Sequence, residues 1–424
     1  MPSPLREGTY VLSWRVTSAD GHPLGGSLLF SVGAVSAAPV SWQLDTDPAV
    51  KAAIWAAKLM LYIGLFIGIG GAAFTVLVGD TRPLPARLET WLVGAMGAGL
   101  IGAVFSLGLQ GLDVLALPLQ ELWRPAVWRA ALSTAYAYTV GIAVIAFALG
   151  LAALRAAKKT AAAMLGIAAI SGLALALAVS GHASTAEPQL FSRPSVFLHV
   201  LMVTFWIGSL LPLLAIVGNA PKNETSLARF SRAIPFALVA LAGSGVFLIY
   251  VQFDRIDAFW TTNYGLVLSA KLAAVLALLG LGAANRYWLV PRFGTQGSVA
   301  SRPLARSIFI EFGIAVAIFG TVTLWRFTPP PRALAVAEPI SVHMHNPKAM
   351  AQVEIELVRA RGAMVVVQVS NGELESLTAK ELTLVLSNPA AGIEPARHAA
   401  VSDGDVTWRI ENLRVRSPGA GIFA

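Results

Sequence analysis

Long apolar runs separated by short polar loops dominate the middle of the chain. A helix that crosses a bilayer needs about 20 predominantly apolar residues, and eight runs reach that length. The sequence therefore predicts eight membrane-spanning helices, at about 51–78, 90–110, 127–154, 161–180, 195–217, 231–252, 265–288 and 305–327.

Both ends of the chain carry the alternating pattern of β-strands instead. Between residues 8 and 33, apolar positions alternate on either side of the turn Ala19-Asp20-Gly21-His22-Pro23, which predicts a β-hairpin. A lone hairpin is barely stable, so this one belongs to a larger unit or packs on another part. Near the C-terminus, strand-like runs predict a small β-sandwich; they lie at 340–345, 351–358, 363–369, 382–386 and 405–410.

The predicted fold is a mainly α membrane protein: an eight-helix transmembrane bundle with an N-terminal β-hairpin and a small C-terminal β-sandwich. Linkers rich in Ala and Pro separate the three parts. The predicted segments are the hairpin segment 1–33, a linker 34–50, the membrane domain 51–327, a Pro-rich linker 328–337 and the β domain 338–424.

The composition and the placement of charge agree with a membrane protein. Only 13% of the residues are charged, against roughly 25% in soluble domains. The net charge of +8 does not indicate nucleic-acid binding, because the basic residues fall mostly in short loops between spans. Loops rich in Lys and Arg face the cytoplasm. They contain Arg82 and Arg87; Arg155, Lys158 and Lys159; Lys222, Arg229 and Arg232; and Arg286, Arg292, Arg302 and Arg306.

The alternate loops, 111–125, 181–194 and 252–264, are acidic or nearly neutral and are predicted to be extracytoplasmic. Eight spans then place both termini outside. The residues after Met1 contain no apolar stretch, so no signal peptide is predicted.

Two histidines at the ends of neighbouring spans are the leading candidates for chemistry. His182 follows the fourth span and His199 lies near the start of the fifth, so both are on the extracytoplasmic side. Neutral imidazole is a common metal ligand, and Cys, which is absent, cannot contribute. Cu(I) accepts imidazole and thioether ligands, and Met202 lies one helical turn beyond His199. The alternative is that both histidines are interfacial and bond to loop carbonyls, with Met202 filling a gap.

Two further groups are weaker metal candidates. Asp20 and His22 place a carboxylate and an imidazole in one turn, although Asp and Gly favour turns in any case. His343 and His345 share one face of a predicted strand, and Met350 joins them if the strand ends nearby. The alternative interpretation of the second pattern, which the spacing favours, is a pair of surface histidines on a β domain.

A few polar residues within the spans are also informative. Lys271 is interpreted as the one lysine well inside a span, in its outer half, and Glu311 as a lone intramembrane acid in an inner half. They are therefore not expected to pair with each other; Glu311 is expected to meet Asn285 or Arg286. This cluster is either structural or part of a permeation path.

Small residues within two spans indicate close helix packing rather than chemistry. They lie at 68–71 and 206–209. The sequence contains no phosphate loop, nucleophile–base pair or paired catalytic carboxylates, so no enzyme is predicted.

The membrane domain resembles the bacterial CopD copper-resistance proteins over roughly 50–327. The resemblance rests on Ser180-Gly181-His182-Ala183 with His199, Trp206 and Gly208, and on Tyr264-Gly265, Lys271 and Asn285-Arg286. It implies copper as the ion, the bacterial cytoplasmic membrane as the location and a periplasmic copper chaperone as a possible partner. The C-terminal part resembles the small β domain that follows CopD in some fusion proteins.

The N-terminal segment resembles the end of CopC, a periplasmic copper-binding β-barrel. The matching residues are Trp14-Arg15-Val16, Ser18-Ala19-Asp20-Gly21-His22-Pro23, Gly26-Ser27 and Phe30. In that family the Asp and His of the motif bind Cu(II) with an amino-terminal histidine, which implies Asp20 and His22 as ligands here. Most of the barrel and that histidine are missing, so a shortened CopC–CopD fusion is expected.

Copper transport across the cytoplasmic membrane, directed inward, is the predicted function. One alternative is a haem- or quinone-linked membrane oxidoreductase, with His182 and His199 as haem ligands. Another is a copper-binding assembly or sensing protein that does not transport.

Overall fold

The structure is a computed structural model of the chain. It describes residues 8–17, 23–32, 47–79, 84–181, 183–218, 224–253, 255–292, 298–332, 340–345, 349–358, 362–371, 377, 379–388, 393–402 and 407–413. The chain divides into two compact units, 1–332 and 333–424.

The predicted eight membrane-spanning helices are confirmed. Within the described residues, eight helices are long and apolar enough to cross a bilayer. They are span 1 (Pro48–Leu77), span 2 (Ala86–Leu115), span 3 (Tyr136–Arg155), span 4 (Lys159–Val179), span 5 (Gln189–Ala215), span 6 (Ser226–Gln252), span 7 (Asn263–Arg292) and span 8 (Arg302–Phe327). Spans 1 and 7 each contain a π-helical segment, at Ile63–Ile69 and Asn285–Leu289.

The boundaries of the third span differ from the prediction of 127–154. A separate short helix, Pro125–Leu132, precedes span 3. The hydroxyls of Ser133 and Thr134 donate to the carbonyls of Ala130 and Ala131. Such side-chain bonds to the backbone compete with helix continuation, and the apolar pattern alone does not reveal the break.

Glycines let the central spans approach each other closely. A Cβ atom on Gly208 of span 5 would lie 2.6 Å from Cα of Gly70 in span 1, and one on Gly64 would lie 2.4 Å from Cα of Gly99 in span 2. The prediction that 68–71 and 206–209 are packing sites is therefore confirmed. Around these contacts lies one hydrophobic core to which spans 1–8 all contribute.

The ends of spans 1, 4 and 6 meet on one side of the bundle. Thr75, Gly79, Lys159 and Arg229 line a single cavity of about 160 Å³, and the guanidinium of Arg229 donates to the carbonyl of Val78. We call this side the basic end. Because successive spans alternate in direction, His199, Lys271 and Arg326 lie toward the opposite end.

The predicted N-terminal hairpin is confirmed. Strands β1 (Gly8–Thr17) and β2 (Pro23–Val32) pair antiparallel, with Gly8 opposite Val32 and Thr17 opposite Pro23.

The C-terminal unit is an antiparallel β structure, as predicted. Its strands are β3 (Ile340–His345), β4 (Met350–Val358), β5 (Gly362–Ser370), β6 (Thr383–Asn388), β7 (Ile393–Ala399), β8 (Val401–Ser402) and β9 (Thr407–Leu413). One sheet has the order β3-β4-β5-β9-β8, and β6 pairs with β7. Its small core is built around Val365 and Trp408, and Leu384 of β6 packs against it. The sequence did not predict β7 and β8.

Candidate functional site

His199 lies at the contact between spans 5 and 6. Its Nδ1 atom is 3.2 Å from Oγ of Ser244, and Ser244 is 6% exposed. The neighbouring Gly245 makes room for the ring, because a Cβ atom there would lie 3.4 Å from Cε1 of His199. The small residues of span 6 therefore hold the imidazole between two helices.

The hydrogen bonds around His199 favour the tautomer in which Nδ1 carries the proton. The Ser244 hydroxyl donates to the carbonyl of Leu241 at 3.0 Å, so its oxygen is left to accept from His199. Nδ1–H is therefore the donor, and Nε2 keeps its lone pair. This is the form in which imidazole binds a metal ion.

A lysine and two aromatic rings from spans 7 and 8 complete this region. Nζ of Lys271 lies 4.8 Å from the ring centroid of Trp325, and its charge acts on His199. Trp325 stacks on Tyr264 at 5.0 Å and donates from Nε1 to the Tyr264 carbonyl. Spans 5, 6, 7 and 8 thus converge on one polar region, which we call the His199 region: His199, Ser244, Tyr264, Lys271 and Trp325.

A second polar pair joins spans 7 and 8 closer to the basic end. Nδ2 of Asn285 donates to Oε1 of Glu311 at 2.5 Å, and the two residues are 8% and 3% exposed. The expected contact between Glu311 and Asn285 is confirmed, and Lys271 does not pair with Glu311. Arg286 instead donates to the carbonyl and the hydroxyl of Ser231.

The sequence did not predict a buried ion pair that links spans 2 and 8. Arg326 donates to Asp113, and both side chains are 5% exposed. The carboxamide of Gln110 accepts a longer bond from the same guanidinium nitrogen, at 3.4 Å. Both charged residues lie at span ends, where the sequence gives no indication that they are buried.

The prediction that Lys271 is the one lysine well inside a span is wrong, because Lys58 also lies within a span. It lies in span 1, with Nζ 4.9 Å from the ring centroid of Tyr136. The Tyr136 hydroxyl is 2.9 Å from Oγ of Ser106. Span 1 remains strongly apolar on average although it contains Lys58, so its hydropathy does not reveal this residue.

Three parts of the chain match known protein families. Residues 1–33 match the CopC domain, 46–189 match the copper resistance protein D-like N-terminal domain, and 224–325 match copper resistance protein D. The chain belongs to the CopC–CopD fusion type of copper resistance protein.

Three relatives illustrate the extent of the similarity. The copper transport protein CutJ of Bacillus subtilis is 25% identical over 342 residues, which are 77% of this chain and 62% of the relative. Copper resistance protein D of Pseudomonas syringae pv. tomato is 29% identical over 189 residues, 40% of this chain and 60% of the relative. The inner membrane protein YebZ of Escherichia coli is 26% identical over 234 residues, 53% of this chain and 79% of the relative.

The chain spans about 60% of the length of the first two relatives. No solved structure matches it. The eight apolar helices and these relatives support a multi-pass inner membrane protein.

The predicted ligands of this CopC–CopD protein are only partly placed. Asp20, His22 and His182 lie outside the described residues. Met202 is half-buried and packs against the hydrophobic core, the alternative that the sequence left open. Among the described residues, no three His, Asp or Glu side chains gather closely enough to hold a metal ion.

In the C-terminal unit, the backbone brings the other candidates together. β3 is an edge strand of its sheet. His343 lies opposite Gln352 and His345 lies opposite Met350. Residues i and i+2 of a strand share a face, and directly opposed residues do too. His343, His345 and Met350 therefore share one face at the sheet edge.

Proposed function

We propose that this protein carries copper ions across the inner membrane, from the extracytoplasmic side to the cytoplasm. Its membership of a copper resistance family supports copper as the cargo. The single observation that carries the proposal is His199, whose imidazole lies in a region shared by four spans.

The distribution of charge supports the orientation of the bundle in the membrane. The basic end gathers Lys159 and Arg229 around one cavity, and loops rich in such residues face the cytoplasm. The His199 region then lies in the extracytoplasmic half, the Asn285–Glu311 pair lies in the cytoplasmic half, and both termini are extracytoplasmic.

Copper would first meet His182 and His199 at the outer mouth of the bundle. Two imidazoles form an incomplete site for tight binding, which suits transient capture of Cu(I). Met202 is the third candidate ligand by its spacing in span 5. A site that must release its ion inward benefits from weak coordination.

The β segments would hold copper or deliver it to the membrane domain. The CopC resemblance implies Asp20 and His22 as Cu(II) ligands. In the C-terminal unit, the shared face of His343, His345 and Met350 offers two imidazoles and a thioether, a set suited to copper. A periplasmic copper chaperone is a natural donor to either segment.

Copper uptake by histidine variants tests the proposal. Proteoliposomes containing the wild type, His199→Ala, or His182→Ala with His199→Ala would be given Cu(I) outside and assayed for luminal copper. We expect the double variant to lose uptake and His199→Ala to lose most of it. His398→Ala is the matched control, since His398 lies on β7 outside every proposed site.

Unchanged uptake by the double variant would refute the proposed entry site. If the purified wild type binds copper but moves none into vesicles, it is an assembly or sensing protein. A Soret band in the visible spectrum would instead indicate a haem-linked oxidoreductase.

A further inference from the structure

The Asn285–Glu311 pair, far from the proposed entry site, has an unsatisfied hydrogen-bond acceptor. Nδ2 of Asn285 donates to Oε1 of Glu311, whereas Oδ1 of Asn285 is buried and has no donor among the residues that the structure describes. A buried polar atom without a partner costs about 1–3 kcal/mol. One donor is missing from this pair.

The charge of Glu311 is also uncompensated. Among the described residues, no cation forms a salt bridge with this carboxylate, although it is 3% exposed. The adjacent Arg286 is held by the carbonyl and hydroxyl of Ser231. A carboxylate within a membrane span is costly unless something neutralises it.

The helices around this site contribute few other charged or titratable groups, so Glu311 is its acid. Span 7 contributes Arg286 and the exposed Tyr287 from its π-helical segment, and span 8 itself contributes Arg306. The halves of spans 5 and 7 on this side, 205–215 and 272–284, contain no Asp, Glu, His, Lys or Arg.

A single proton on Glu311 removes both deficits. It neutralises the carboxylate, and the resulting O–H supplies the donor that Asn285 Oδ1 lacks. A carboxylic acid and a carboxamide can then pair through two hydrogen bonds, N–H to C=O and O–H to C=O. The pair also lies where span 7 turns π-helical, at Asn285–Leu289, a feature that is frequent at functional sites.

We propose that Glu311 and Asn285 form a proton-binding site at which the passing copper ion exchanges with a proton. This inference rests on the proposed function. The positive charge of an arriving Cu(I) repels the proton, which leaves toward the basic end. After Cu(I) has moved on, a proton from the extracytoplasmic side binds Glu311 again, so each cycle releases one proton on the basic side. The O–H bond breaks to give a carboxylate and a free proton, and no electrons are transferred.

A route for the proton lies on the side of the basic end. Leu281, Arg302, Arg306, Ser307 and Ile310 line a cavity of about 470 Å³. Ser307 is one helical turn from Glu311 on the same face of span 8. Water in this cavity would connect the acid to the cytoplasmic side, where the displaced proton leaves.

The variant Glu311→Gln tests the site without breaking its hydrogen bonds. Glutamine imitates the protonated acid and still pairs with Asn285, so the protein is expected to fold. Proteoliposomes with the basic end facing the lumen would carry a pH-sensitive dye. We expect copper addition to acidify the lumen with wild type and to have no such effect with Glu311→Gln, which should also lose most copper uptake.

Two controls separate this result from damage elsewhere. Thr321→Ala, which removes a hydroxyl group from the other half of span 8, should keep both copper uptake and luminal acidification. Chelator competition should show wild-type copper affinity in Glu311→Gln, because the His199 region is intact. Copper-driven acidification that persists in Glu311→Gln would overturn the proposal while leaving copper transport standing.

Infrared spectroscopy tests the proton site even if copper transport fails. We expect the purified wild type to show a pH-dependent C=O stretching band of a protonated carboxyl group that is absent from Glu311→Gln. A spectrum without that difference would overturn the proton site independently of any uptake assay.

Discussion

Nδ1 of His199 and Oγ of Ser244 form a hydrogen bond across the contact between spans 5 and 6, at 3.2 Å. The serine hydroxyl is itself committed to the Leu241 carbonyl. This chain of two bonds orients the imidazole and leaves Nε2 available for a ligand. Groups that orient a ligating histidine in this way influence metal affinity although they never touch the metal.

Replacing Ser244 with Ala should therefore weaken copper binding at His199. Loss of such an orienting partner typically lowers metal affinity by about 10–100-fold, measured here by chelator competition with purified protein. Ser133→Ala is the matched control, since the Ser133 hydroxyl also bonds to the carbonyl three residues earlier, but at an exposed site. Equal affinities in the two variants would show that Ser244 does not orient His199.

Replacing Gly208 with Leu should destabilise the bundle. The new side chain would collide with Gly70 of span 1, whose Cα lies 2.6 Å from the expected Cβ position. Overpacking a tight contact costs about 1–3 kcal/mol, occasionally more, so the thermal unfolding midpoint in detergent should fall. Gly243→Leu is the control, because no atom lies within 4 Å of its expected Cβ. Equal midpoints for both variants would contradict a close contact between spans 1 and 5.

Breaking the Arg326–Asp113 pair from one side should be more harmful than removing it completely. Asp113→Leu leaves a guanidinium that is 5% exposed without this partner, and loss of one partner of a buried pair costs about 3–5 kcal/mol. Combining Asp113→Leu with Arg326→Met removes both charges and should recover much of that loss. A double-mutant cycle in thermal unfolding measures the coupling, and strictly additive losses would contradict it.

Sequence periodicity predicted the fold well because membrane insertion leaves a strong local pattern. Each span must be apolar over its length, so all eight were predictable, as were the hairpin strands on either side of the turn at 19–23. The break at Ser133 and Thr134 escaped prediction because it falls within a largely apolar run.

The site was less predictable because its contacts depend on which helix faces meet. His199, Lys271, Glu311 and Asn285 stood out as polar residues in apolar surroundings. Ser244 did not, since a small residue in a span usually indicates packing. Asp113 and Arg326 were hidden for another reason: they are 213 residues apart, and only tertiary packing reveals that they pair.

Lys271 should tune how tightly the His199 region holds copper. Its ammonium lies against Trp325 and acts electrostatically on His199, so it repels a cation bound there. Two like charges a few ångströms apart interact by a few kcal/mol at an effective dielectric constant of about 20. Lys271→Met should therefore tighten copper binding, on the order of tenfold (about 1.4 kcal/mol), and slow the release of copper inward.

Chelator competition and uptake rates together check this prediction. Lys271→Arg keeps the positive charge and should resemble wild type in affinity, whereas Lys159→Met removes a lysine at the basic end and should leave affinity unchanged. Weaker copper binding in Lys271→Met would mean that the lysine supports the site rather than opposing the ion. In that case, repulsion by Lys271 does not drive the release of copper from the outer half of the bundle.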